Sequence, residues 1–261
     1  MKIIEYEKFL KEKVFRTDEY NQFNLLFEDI KKLNKQNFKH GVILERSYMY
    51  DNRSIFIPLF NKKKKLTSIN YKIKTSSKRI GIQNSFINNL NFDLDKSMFW
   101  IQDNENSFTT NLKILDNDFL IIPNALHHIS NFDLMMKKIC KIMPNLNKIY
   151  IYDSYLREGH QSPNDYARHT VYSLKNILKR YNFKSKDIKE TGNVFDGILY
   201  LFSQSSVILK NKELKNIKNI FEKKLKKDLI KQRDKKKWVS LGRKYATLTT
   251  AYSIIFEKNE K

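Results

Sequence analysis

Short, unbroken apolar runs separated by helical stretches constrain this chain more than any other feature. Leu66–Tyr71 (LTSINY), Met98–Gln102 (MFWIQ), Phe119–Ile122 (FLII) and Ile149–Tyr152 (IYIY) read as strands. Between and after them, Ile82–Leu90, Phe132–Met143 and Val171–Tyr181 read as helices. In the second helix Leu134, Met135, Ile139 and Ile142 face inward, and Pro144 ends it. Further strands are expected over Ile198–Phe202 and Thr249–Phe256. A strand that is apolar throughout has no side for water, so both faces of its sheet must be covered by helices. The pattern predicts an α/β fold with a parallel sheet.

In such sheets ligands bind beyond the carboxyl ends of the strands. Those ends carry Asn70, Asp103, Asn124 and Asp153, each directly after an apolar run. Asn and Asp also cap helices and open turns, so each has a structural reading beside the functional one.

Residues 3–36 read as helical, with Tyr20, Phe23, Leu26, Phe27, Ile30 and Leu33 on one buried face. Gly41 ends that region, and an aromatic-rich stretch from Val42 to Phe60 follows, with Arg46 and Arg53 interleaved. Residues 211–233 form a lysine-rich amphipathic helix with Leu214, Ile217, Phe221, Leu225 and Leu229 on one stripe. This divides the chain into an N-terminal helical cap over 1–60 and an α/β domain over 61–261 that includes the basic helix.

The net charge is +22, but the lysines are spread along the whole chain, whereas nucleic-acid footprints cluster. Attraction to phosphorylated substrates, an anionic membrane surface or RNA is expected from the charge. Cys140 is the only cysteine, which excludes an internal disulfide and a cysteine-built zinc site. No run reaches the roughly 18 apolar residues of a membrane span, and the N-terminus lacks an apolar signal core. The expected location is cytoplasmic.

From Asp118 to Gln161 the run DFLIIPNALHHIS, a helix, and IYIYDS resemble strand four to strand five of the class I S-adenosylmethionine-dependent methyltransferases. The next segment, SPNDYARHTVYSLKNILKRYNF, is similar to the region after strand five in members that modify sugars, capsules and related surface polymers. The resemblance implies a Rossmann-like class I methyltransferase sheet covered by helices, with helical additions at both ends. It implies S-adenosylmethionine as cofactor and a capsule- or lipopolysaccharide-type acceptor, either an anionic small molecule or a sugar phosphate. The first half departs from the family, whose first strand runs into a G-x-G turn that lets the backbone approach the cofactor. None of the six glycines falls between Gly41 and Gly81. Either LTSINY is the family's second strand, with Asn70 where an acidic residue would hold ribose hydroxyls, or the first turn has been rebuilt.

On this reading Asn70, Asp103, Asn124, Ala125 and Leu126 contact the cofactor. His128, beside His127, and His160 are the candidate bases, since an imidazole suits proton abstraction near neutral pH. Arg157, Asp165, Tyr166 and Arg168 face the acceptor, with the two arginines able to clamp a phosphate or carboxylate. Alternatively the histidines start a helix, and Asp165 pairs with Arg168 at i, i+3 as a brace. A zinc site from His127, His128, His160 and His169 matches no standard spacing. The basic helix either packs on the domain or rests on anionic lipid or a partner. Two other functions compete: a non-catalytic domain of this fold serving a partner, and a nucleic-acid methyltransferase. Against the latter, the chain has no recognisable RNA-binding module, and no specific nucleic-acid partner is expected.

Overall fold

The computed structural model describes residues 20–36, 38, 40–45, 56–60, 65–71, 98–102, 108–110, 116–156, 165–192 and 249–259, with isolated positions at 7, 8, 10, 197, 200, 201 and between 212 and 224. Among these, eight strands form one sheet in the order β4-β3-β2-β1-β5-β6-β8-β7. The strands are β1 His40–Glu45, β2 Lys65–Tyr71, β3 Met98–Gln102, β4 Phe108–Thr110, β5 Phe119–Pro123, β6 Lys148–Ser154, β7 Phe183–Thr191 and β8 Ala251–Lys258. The helices are α1 Tyr20–Leu33, α2 Phe132–Ile142 and α3 Val171–Lys179.

From β3 through β6 the central strands run parallel. Their order, two strands stepping outward on one side of β1 and two on the other, is that of a doubly wound Rossmann-like sheet. β8 lies antiparallel between β6 and β7, which completes the class I methyltransferase arrangement. β4 adds a short antiparallel strand at the far edge.

Alternate side chains go to opposite faces of the sheet, and each face has its own core. Val42, Leu44, Leu120, Ile122, Ile149 and Ile151 face α2 and α3. Ile43, Phe119, Ile121, Tyr150 and Tyr152 face α1, which buries Phe23, Leu26, Phe27, Ile30 and Leu33 at the expected spacing. The five residues of β5 are all buried, as its unbroken apolar run requires. α2 is capped by Asn131, whose side chain accepts from the Leu134 amide at 2.9 Å, and α3 by Thr170, which accepts from Ser173 at 3.1 Å.

Several expectations are corrected. β1 falls inside the stretch assigned to a helical cap over 1–60, yet it is the strand between β2 and β5, so the α/β unit reaches back at least to His40. α1 is one of the sheet's covering layers rather than an appendage. Positions 197, 200 and 201 are helical, which corrects the strand expected over Ile198–Phe202 at its two described residues; the other three lie outside the described residues. The place beside β8 is filled by β7, which alternates lysine with other residues as an edge strand does. In α2 Met136 is fully buried and Leu134 only partly so. The helix expected over Ile82–Leu90 lies outside the described residues. Among the described residues no helix is long and apolar enough to cross a membrane.

Candidate functional site

The chain steps outward from β1 through β2, β3 and β4 and then returns to place β5 on the other side of β1, so the strand order reverses between β1 and β5. In such sheets the crevice that takes ligands lies at the carboxyl ends of the two strands at this point. β1 ends at Glu45, fully buried, whose Oε1 accepts from the Ser68 hydroxyl of β2 at 2.8 Å. In register Glu45 lies beside Asn70. LTSINY is therefore the second strand, the first of the two alternatives. β1, and Glu45 with it, is not among the expected strands; its signal in the sequence is Val42-Ile43-Leu44 running into an acidic residue. The five residues that follow β1 in the sequence, Arg46-Ser47-Tyr48-Met49-Tyr50, include no glycine and lie outside the described residues.

On the other side of the crevice, β5 ends at Pro123 and the chain reverses at Asn124. Its φ of 56° is in the left-handed region that asparagine tolerates, and its amide donates to the Tyr152 carbonyl at 2.8 Å. Ala125 then leads into a single 3-10 turn, Leu126–His128. The turn buries both His127 and His128 to 1% exposure and sets their rings 4.1 Å apart.

His127 Nδ1 lies 2.8 Å from Asp153 Oδ1, a pair closed inside the protein. The same oxygen accepts the Ser154 amide at 2.8 Å. With Asp153 ionised, Nδ1–H donates and Nε2 carries the ring's lone pair. The Tyr166 amide donates to the His127 carbonyl at 2.9 Å, tying the segment after β6 to the histidine turn.

Asp153 also acts on two neighbours through its field. Tyr252 of β8 stands opposite it in the ladder, and burial first, then the Asp153 charge, holds its phenol well above the usual range. Burial lowers the pKa of His169, and Asp153 opposes that shift. The His169 Nε2 and the Tyr252 hydroxyl are both buried with no hydrogen-bond partner among the described residues. The Tyr155 ring packs 4.6 Å from Tyr252, and its hydroxyl accepts the Val171 amide at 3.1 Å, which anchors the start of α3.

Arg168 meets Asp165 through both guanidinium nitrogens, at 2.5 and 2.8 Å, the brace geometry that the i, i+3 spacing allows. Tyr166 between them is 40% exposed. Asp103, Arg157 and His160 lie outside the described residues, and Asn70 is described only as a strand residue. The structure thus brings together Asn124, Ala125, Leu126, His127, His128, Asp153, Tyr166 and His169. Among the described residues no group of three or more His, Cys, Asp or Glu is placed to hold a metal ion.

No protein-family model matches the chain, and no curated protein matches it. Solved structures do. A Haemonchus contortus phosphoethanolamine N-methyltransferase 2 in complex with S-adenosyl-L-methionine is 13% identical, covers 98% of this chain and 60% of its own, and has a TM-score of 0.47. A candidate sarcosine dimethylglycine methyltransferase from Galdieria sulphuraria is 11% identical, with coverage of 94% and 86% and a TM-score of 0.48. The O-methyltransferase of a Brevibacillus brevis trans-AT PKS multienzyme, in complex with S-adenosyl-L-homocysteine, is 12% identical, with coverage of 89% and 71% and a TM-score of 0.45. At these values the likeness is one of fold at most, and the strand order of the sheet carries that assignment by itself.

Proposed function

We propose that this chain is an S-adenosylmethionine-dependent methyltransferase acting on an oxygen of an anionic small molecule or surface-glycan precursor. The observation that carries the reading is the buried His127–Asp153 pair at the carboxyl ends of β5 and β6, beside the crevice where this fold takes ligands.

The residues fit such a cofactor in part by their chemistry. Asn70 beside the buried Glu45, with Asn124, Ala125 and Leu126 across the crevice, offers amide groups suited to ribose hydroxyls and a base. Asp103 follows β3 in sequence and belongs to the same set. The orphaned His169 Nε2 and Tyr252 hydroxyl are buried polar atoms of the kind a ligand satisfies. When bound, the cofactor supplies a methyl group on a positively charged sulfur.

The chain's own task is then to orient the acceptor and remove its proton. With the cofactor bound, the acceptor hydroxyl would have to give up its proton, and His127 would take it at Nε2. Asp153 fixes the tautomer that leaves Nε2 able to accept, and its charge stabilises the imidazolium that results. His128, packed on the same ring, shapes this side of the site. His160 in the following loop is the competing base. Arg157, Tyr166 and Arg168 support binding of an anionic acceptor, Arg168 being oriented by Asp165. The charge of +22 favours such a substrate and gives weak, salt-sensitive attraction to any polyanion without sequence specificity.

The lack of glycine in the sequence that follows β1 favours a second reading, a domain of this fold that has lost the cofactor and serves a partner. Calorimetric titration with S-adenosylhomocysteine separates the two. Saturable binding is expected; no binding at millimolar ligand would leave the non-catalytic reading standing.

A further inference from the structure

The basic helix is the feature that the candidate site does not use. Between 211 and 233 the sequence holds nine lysine or arginine residues against three acidic ones. The described positions 212, 213, 216, 217, 219, 220, 223 and 224 are helical, and every one is exposed. Ile217 is 48% exposed and Ile220 58%. Ile217, Ile220 and Lys224 follow one another at i, i+3 and i+7, so they share a side of the helix, with Lys223 one turn beyond Ile220. Leu214, Phe221, Leu225 and Leu229 of the sequence stripe lie outside the described residues.

Scattered single apolar residues on a surface need no explanation, but two isoleucines on one helix side, preceded by Glu213 and Asn216 and followed by Lys223 and Lys224, form the pattern of an interfacial helix. We propose that this helix docks the protein on an anionic membrane surface, with Ile217 and Ile220 seated at the headgroup boundary and Lys212, Lys223 and Lys224 on lipid phosphates. Charge complementarity selects the occupant: basic residues close to an anionic leaflet are drawn to it within a Debye length. RNA would match the charge but not the isoleucines.

The test is flotation of the full chain with vesicles of phosphatidylcholine alone or mixed with phosphatidylglycerol. Binding is expected only to the mixed vesicles and should weaken as salt rises. The charge-neutral double variant Ile217→Asn, Ile220→Asn should lose about tenfold or more of the vesicle affinity while its elution from heparin stays unchanged. Lys223→Glu with Lys224→Glu should weaken both. Circular dichroism of each variant shows that the fold is kept. The proposal is overturned if the chain ignores phosphatidylglycerol vesicles at low salt. It is equally overturned if the isoleucine variant floats like the parent, or if a poly-U RNA binds more tightly than the vesicles; either outcome makes the helix a general polyanion binder.

Discussion

Asp153 stands opposite Tyr252 in the β6–β8 ladder and holds His127 at 2.8 Å from the neighbouring strand end, so one buried carboxylate faces a phenol and an imidazole. Of these two rings, the imidazole is hydrogen-bonded to it and the phenol is not. Asp153→Asn keeps the shape but no longer enforces the Nδ1–H tautomer. The rate constant for methyl transfer should drop on the order of a hundredfold, with the acceptor KM little changed. His127→Gln should show a loss of the same order, and combining the two changes should add little to either alone. A parallel measurement of melting temperature checks that the fold persists. An unchanged rate constant in both variants would assign the pair to structure alone.

His160→Ala tests the competing base. His160 lies in a polar run of the sequence with no apolar neighbours to pack, so stability should stay within about 0.5 kcal/mol of the parent. If His160 takes the proton, turnover falls on the order of a hundredfold and recovers at high pH, where hydroxyl acceptors need less help. Under the His127 assignment, His160→Ala is nearly silent in turnover and His127→Gln is not. Kinetics on both variants decide between them.

The elements of this fold were legible in unequal measure. β2, β3, β5, β6, α2 and α3 announced themselves because both faces of a central strand, or one face of a helix, must be apolar. β1 did not: Val42-Ile43-Leu44 is only three residues long and merges with the aromatic stretch behind it. β7 did not either, because an edge strand shows water one side and reads as a lysine-rich loop. In the site, His127 and Asp153 were each visible as a residue after a strand. Their pairing was not, because the two lie 26 positions apart and meet only through the β5–β6 register that sets Pro123 beside Tyr152.

Arg168 should behave as a brace whose guanidinium also faces the acceptor. Arg168→Lys keeps the charge but loses the two-pronged contact with Asp165. The acceptor KM should rise while the melting temperature moves little. Arg168→Ala should lower stability by about 1 kcal/mol, since the pair is partly buried and charge-assisted. Melting curves and KM on the two variants separate bracing from binding; kinetics untouched by Arg168→Lys would leave the brace alone.

Alkaline stability should be shaped by groups whose pKa rises on folding. Tyr181 is pushed up to about 12, first by burial and then by Asp133, to which its hydroxyl donates at 2.9 Å. For Lys189, burial acts downward, but the hydrogen bond and charge of Asp29 outweigh it, so its pKa is raised. A group raised in the folded state stabilises fully below its unfolded pKa, roughly 10 for both residue types. That contribution is lost as pH climbs through the folded value. Urea midpoints should therefore fall between about pH 10 and 12. Tyr181→Phe should be less stable than the parent at pH 8 and lose less over that rise. A parallel fall in both proteins would show that Tyr181 contributes nothing to the slope.

Gly192 closes β7 against the start of β8, and the backbone there accepts nothing larger. Its φ is +87°, a conformation that an L side chain adopts only under strain. A Cβ at this position would lie 1.9 Å from the Thr250 hydroxyl oxygen and 2.7 Å from two more Thr250 carbons. Thr250 has little freedom to retreat, because its amide donates to the Thr191 carbonyl at 2.8 Å and its hydroxyl to the same oxygen at 3.2 Å. Gly192→Ala must therefore twist the turn or break that double contact, and should cost about 2–4 kcal/mol, adding backbone strain to overpacking. The loss should appear as a lower urea midpoint at unchanged slope. Pairing the change with Thr250→Ser removes one of the clashing carbons and should restore only a minor part, because the positive φ remains. Full recovery in the double variant would mean that crowding alone, and not backbone conformation, makes glycine necessary there.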